Sequence, residues 1–206
     1  MSDALLYMHG FRSSPLSAKA RILGEHCRAH GVAFSAPDLS VAPLAAVQRL
    51  QEEYERLAST GARVALAGSS LGGFYCAWLA ERTGARAALI NPAVSPWRVV
   101  KNYLGEQTIY GTTRTIYVSG SYESELLKLR TPAFDDPSRV LLVLATGDEL
   151  LDWREAAALY AASPSIVVDG SDHGMSDFEE HAEVVLRFLL LAETHARDLI
   201  SNGKEQ

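Results

Sequence analysis

Apolar residues fall into two kinds of run along this chain. One kind is short and almost wholly apolar: residues 4–8, 32–36, 63–67, 86–90, 140–145 and 165–168. The other is longer and places apolar residues at helical spacing: 17–30, 43–59, 71–83, 153–162 and 177–193. The first kind predicts six buried strands and the second five helices. Gly31, Gly61 and Gly84 close three of the helices, Pro43 falls in the first turn of one, and Asp152 is placed to cap another. Strands that are apolar on both faces, alternating with helices, predict a parallel sheet covered on both sides. The expected class is α/β, doubly wound.

One segment breaks the alternation. Residues 91–138 are too many for a plain connection. They are expected to hold a helix near 97–104, an extended stretch over 115–119 and a helix over 123–129. The segment reads as an excursion above the sheet edge, placed as a partial lid. Its aromatic residues Trp97, Tyr103, Tyr110, Tyr117 and Tyr122 either line a pocket or pack the excursion onto the sheet. No internal repeat or Pro/Ser-rich linker divides the chain, so residues 1–206 are expected to form one domain. A tail from about residue 195 is expected to fray.

Composition narrows the function classes. The formal charge is −6 and no basic run occurs, which argues against a nucleic-acid partner. Cys27 and Cys76 share no CxxC spacing and no histidine cluster. They are expected to be buried thiols, with neither a disulfide nor a metal site. The amino terminus lacks a basic signal region, and the richest apolar run, 184–192, is short and interrupted by Arg187. No membrane span is expected, and the location is expected to be cytoplasmic.

The third strand runs directly into Gly68-Ser69-Ser70-Leu71-Gly72 and then into a helix. A serine on a sharp strand-to-helix turn brings the residues two before and two after it close together, so both must be small. Centred on Ser70 those positions are Gly68 and Gly72. Centred on Ser69 they would be Ala67 and Leu71, and Leu71 is too large. Ser70 is therefore the candidate nucleophile. The segment lacks the second glycine of a dinucleotide loop and the Lys of a phosphate loop, and no cofactor is expected.

A serine hydroxyl needs an adjacent base. The strand 140–145 ends in Thr146-Gly147-Asp148, and the strand 165–168 leads to Asp169-Gly170-Ser171-Asp172-His173-Gly174. Asp148 and His173 thus follow two later strands at the sheet edge where ligands of parallel sheets bind. Glu149, Asp152, Asp169 and Asp172 are the competing acids. Asp152 is better used as a helix cap, and Asp172 adjoins His173 too closely to fold back onto its ring. His26, His30, His181 and His195 fall on helices or their ends and read as surface or packing residues. The developing oxyanion needs two donors. Leu71 N–H follows the nucleophile, and Phe11 N–H in the loop His9-Gly10-Phe11 is the expected second.

The stretches "LLYMHGFRSSPLSAKA", "GSSLGGFYCAWLAER", "NPAVSPW", "TGDELLDWREAAALY" and "GSDHGMSDFEEH" cover most of the chain. In this order they resemble the α/β-hydrolases, and more narrowly the small bacterial esterases of the YqiA type. The resemblance implies a three-layer α/β-hydrolase fold without the two leading strands of larger relatives. It also implies a cofactor-independent serine carboxylesterase, with Ser70 as nucleophile, Asp148 as acid and His173 as base. Its substrates would be small to medium acyl esters. The competing readings are an acyl thioesterase or, further off, a non-catalytic binding protein.

Overall fold

The structure is a computed structural model and describes residues 3–190. The short apolar runs become strands β1 (Asp3–Met8), β2 (Ala33–Ser35), β3 (Arg63–Ser69), β4 (Ala87–Ile90), β7 (Val140–Ala145) and β8 (Ser165–Val168). They form one sheet in the order β2-β1-β3-β4-β7-β8, with every pairing parallel. The period-2 alternation of a strand explains why the central ones are apolar throughout. In β1, Ala4, Leu6 and Met8 join one core while Leu5 and Tyr7 join the other. In β7, Leu142 and Leu144 share the first core, and Leu141 and Val143 the second.

Helices α1 (Ala18–Ala29), α2 (Pro43–Ala58), α3 (Leu71–Thr83), α5 (Trp153–Leu159) and α6 (Glu179–Leu190) connect or follow these strands. α1 and α6 cover the second face through Ala20, Leu23, Cys27, Ala182 and Val185. α2, α3 and α5 cover the first through Leu50, Phe74, Trp78 and Ala156. The result is three layers. The Ser17 hydroxyl accepts from Ala20 N–H at the start of α1, and Asp152 does the same for Arg154 N–H at α5. Both cysteines are free and buried, and burial pushes the Cys27 thiol up to about 12. Among the described residues no helix is long and apolar enough to cross a membrane. The expected fraying tail, and the last residues of the sixth-strand helix as expected from sequence, lie outside the described residues.

The excursion departs from expectation at two points. The single helix expected near 97–104 is instead two 3-10 turns, Pro96–Arg98 and Val100–Tyr103. The expected stretch 115–119 is β6 (Thr115–Val118), but it is paired antiparallel with β5 (Gly105–Thr108), which periodicity did not reveal. The third part is α4 (Tyr122–Lys128), close to the expected range. α4 is tied to α2 where Glu125 accepts from Leu44 N–H, and to the second 3-10 turn through Lys101–Glu123 at 3.0 Å.

Strand order reverses between β1 and β3, because β2 lies to one side of β1 and all later strands to the other. A crevice therefore opens at the carboxyl ends of these two strands. The loop after β1 and the turn after β3 meet there.

Candidate active site

Ser70 occupies the one-residue turn between β3 and α3 with φ 56° and ψ −122°. A non-glycine residue in this region costs about 1–3 kcal/mol and persists only where neighbours impose it. Ser70 N–H donates to Ile90 O at 3.0 Å, and its carbonyl accepts from Ala93 N–H and Phe74 N–H. The flanking glycines have a steric reason. A Cβ on Gly68 would lie 2.3 Å from Gly72 O, and one on Gly72 would lie 2.1 Å from Met8 O. The neighbouring Ser69 is buried.

The loop after β1 closes on this turn. A Cβ on Gly10 would sit 3.1 Å from Ser70 Cβ, so the loop backbone lies directly against the serine. His9 anchors the loop from a fully buried position. Its Nε2 accepts from Leu39 N–H at 2.9 Å, which leaves the proton on Nδ1, 2.9 Å from Gly10 O. Burial holds its affinity for a second proton below the usual histidine range, although Gly10 O and Asp38 oppose this. Phe11 and Leu71 border the same cleft as Ser70. Leu71 opens α3, so its N–H has no intrahelical partner. Among the described residues no hydrogen bond engages Phe11 N–H either.

Asp148 lies just past β7, and its Oδ2 meets His173 Nδ1 at 2.8 Å. Gly147 permits the approach of the two loops, because a Cβ there would lie 2.9 Å from Ser171 O. The other carboxylate oxygen accepts from Leu150 N–H at 2.9 Å and Leu151 N–H at 2.8 Å. Burial alone would raise the Asp148 carboxyl. The bonds from His173, Leu151 and Leu150 outweigh it and hold the group below the usual carboxylate range.

The histidine loop is fastened by three residues that sequence reading did not single out for this task. Asn91, buried and at φ 40°, donates through Nδ2 to Asp172 O at 3.2 Å and His173 O at 3.1 Å. Its Oδ1 accepts from Ala145 N–H at 2.8 Å. Lys19 Nζ donates to Gly174 O from a buried position facing Asp172, Asp148 and Asp177. Burial pushes this ammonium down to about 8 against the pull of those acids. Glu149 accepts from His173 N–H at 2.9 Å. Asn91 and Lys19 thus engage the carbonyls of residues 172, 173 and 174 in turn.

The remaining acids have other partners. Asp169 accepts from the Thr146 hydroxyl, Asp172 from Ser176 N–H, and Asp152 caps α5. His26 and His30 face Glu179 and Glu183 of α6, and His181 lies 3.9 Å from Asp177. His195 lies outside the described residues.

Ser70, His173, Phe11 and Leu71 border one cleft of about 670 Å³. Its far wall is apolar and comes from the excursion: Tyr103, Tyr110, Ile116, Tyr122 and Leu126. Trp97 does not reach it and packs edge-on against Phe74 at 6.0 Å, while Tyr117 is exposed. Among the described residues no group of three or more His, Cys, Asp or Glu side chains converges to hold a metal ion.

A six-stranded parallel sheet with serine, aspartate and histidine following its third, fifth and sixth strands is the α/β-hydrolase fold. Solved structures share it. Est1E from Butyrivibrio proteoclasticus superposes with a TM-score of 0.72 at 17% identity, covering 92% of this chain and 87% of that one. The esterase domain from a Rhodothermus marinus protein gives 0.67 at 18%, covering 95% and 87%. Alpha/beta hydrolase domain-containing protein 10 from mouse gives 0.61 at 20%, covering 99% and 92%. Residues 4–190 match the family described as an uncharacterised protein family, UPF0227, and the chain belongs to that family.

Proposed function

We propose that the protein is a serine carboxylesterase acting on small to medium acyl esters through Ser70, His173 and Asp148. One observation carries the reading. A serine strained at φ 56° shares a cleft with a histidine whose far nitrogen is 2.8 Å from a buried carboxylate. Strain at a half-buried serine and a buried acid aimed at a histidine both cost stability, and such features cluster at active sites. The esterases among the solved structures of this fold lend support.

In this mechanism Ser70 Oγ attacks the ester carbonyl carbon while His173 Nε2 takes its proton. The carbonyl oxygen gains the negative charge and is stabilised by Phe11 N–H and Leu71 N–H. The tetrahedral intermediate collapses, the C–O bond breaks, and His173 protonates the departing alcohol. Water then repeats the sequence on the acyl-enzyme, returning the acid and the free serine. Asp148 holds the imidazole tautomer with its proton on Nδ1 and stabilises the imidazolium. The cleft volume and its apolar far wall suit an acyl chain.

The test is a panel of 4-nitrophenyl esters and acyl-CoA thioesters of matched length, run on wild type and Ser70→Ala. Ester turnover is expected, falling at least about 10³-fold in Ser70→Ala. A fluorophosphonate should label wild type and not the variant. Strong preference for acyl-CoA would replace the ester with a thioester. Unlabelled wild type, or full activity in Ser70→Ala, would remove the mechanism.

A further inference from the structure

Phe11 is followed by Arg12, at φ 57°, whose side chain lines the same cleft. Only Phe11 separates it from Gly10, so its Cα lies within about 7 Å of the glycine that touches Ser70. The side chain is held in place. Its Nε donates to Thr108 O at 2.9 Å, and its guanidinium carbon lies 4.5 Å from the centre of the Tyr110 ring. The Arg12 carbonyl accepts from Tyr110 N–H at 2.8 Å, fixing the loop to the hairpin β5–β6.

None of these contacts is with an acid. The other charged groups bordering the cleft all have charged or polar partners. Arg98 lies 3.7 Å from Glu155, Asp152 is 2.7 Å from Arg154, and Lys19 donates to Gly174 O above its three acids. Arg12 has no acidic partner among the described residues. With Nε engaged and one face stacked on Tyr110, the two terminal NH₂ groups remain. They form the pair of donors that matches a carboxylate. A guanidinium fixed beside the apolar far wall of the cleft, and with no acid bound to it, is a preformed anion site, because its orientation does not have to be organised on binding.

We propose that Arg12 binds a carboxylate carried by the substrate, so that the preferred esters are acidic ones such as half-esters of dicarboxylic acids. This rests on the esterase reading above and narrows its substrate class. The charge belongs either to the acyl part or to the alcohol part, and the two are separable by experiment.

The acyl arm compares mono-4-nitrophenyl adipate with its methyl-capped diester. The alcohol arm compares 4-carboxyphenyl hexanoate with 4-(methoxycarbonyl)phenyl hexanoate. Wild type should favour the acid in one arm by about tenfold or more in kcat/KM. Arg12→Met should lower kcat/KM for that acid about 10–100-fold, mainly through KM, as expected for loss of a charged hydrogen-bond pair. The methyl-capped ester should change by less than about threefold. Arg12→Lys keeps the charge and should retain a preference for the acid. No preference in either arm, or an equal fall for acid and capped ester, overturns the proposal. Should wild type hydrolyse no ester at all, the esterase reading fails by itself. Calorimetry of Ser70→Ala with monomethyl adipate then reads the arginine alone. Binding that disappears in Ser70→Ala/Arg12→Met supports the site, and absence of binding overturns it.

Discussion

Lys19 places a positive charge in a buried position where burial resists it and three carboxylates favour it. Below pH 8 its ammonium makes a charged hydrogen bond to Gly174 O, next to His173. Above that pH the neutral amine makes only a weaker one. The kcat/KM of wild type is therefore expected to fall about fivefold between pH 7.5 and 9.5, the size of one charged bond reduced to a neutral one. Lys19→Met should start lower and stay flat over the same interval. A pH–rate profile checks this, and a wild-type profile flat to pH 9.5 would count against it. Stability moves the other way. The unfolded lysine keeps its proton to about 10.5 and the folded one to about 8, so between those values the unfolded chain binds more protons. Rising pH therefore relieves a destabilising charge while activity declines, which separates a loosened loop from general unfolding. Asp148→Asn probes the neighbouring contact. An amide presents N–H where Asp148 now accepts, so the tautomer that holds the proton on His173 Nδ1 is lost. A fall of about 10³–10⁴ in kcat with a nearly unchanged melting curve is expected.

At the scale of elements, Asn91 binds three of them together: it ends β4, caps the exit of β7 through Ala145 N–H, and holds the histidine loop after β8. Asn91→Ala leaves a buried N–H and two carbonyls without partners. A loss of about 2–4 kcal/mol in urea denaturation is expected, with kcat reduced more than KM is raised, because the loop that carries His173 is loosened. Asn91→Asp keeps the acceptor for Ala145 N–H but faces a carboxylate to two carbonyls. It should recover part of the stability and little of the rate. Asn91 was not legible as a site residue, because its partners lie 54, 81 and 82 positions away. Lys19 reaches 155 positions to Gly174 and was hidden for the same reason. Ser70, by contrast, carried its own signal. Gly68 and Gly72 are needed by contacts local to the turn and to the adjacent strand, and local need leaves a pattern. The central strands β1, β3, β4 and β7 were legible because burial on both faces makes them almost wholly apolar, while the partly exposed edge strands β2 and β8 showed through short runs of apolar and β-branched residues. β5 was not, since Gly105-Glu106-Gln107-Thr108 has no apolar residue and is half-exposed. Its partner β6 showed through Ile116 and Val118, which alternate inward. The helix expected near 97–104 gave way to two 3-10 turns, Pro96–Arg98 and Val100–Tyr103, with the β-branched pair Val99-Val100, poor in a helix interior, at the break between them.

At the scale of the molecule, one sheet edge collects all the loops of the site, so conditions that loosen the sheet ends act on the site first. The titratable groups define when that happens. Burial keeps His9 neutral in the fold, whereas an unfolded chain protonates it as pH drops through about 6.5, so stability from this group is lost below that value. Asp148 and Asp38 are held below their ordinary range, Asp38 at about 2 through the bonds from Arg114 and Ser40 that outweigh its burial. Their contributions are present above the unfolded carboxylate range and are lost as pH falls further. At the alkaline end, burial raises the thiols of Cys27 and Cys76 and the phenols of Tyr7, Tyr75 and Tyr160, so stability starts to fall above about pH 9, where the unfolded thiols ionise, and falls further above about pH 10. Melting temperature measured by calorimetry from pH 4 to 11 is therefore expected to be highest between about 8 and 9. It should fall first below 6.5 and then more steeply near 4. His9→Gln keeps an acceptor for Leu39 N–H without a titrating ring. It should remove the decline between about 6.5 and 5 and leave the carboxylate step in place. A variant whose acid profile matches wild type throughout would show that His9 does not set the first stage.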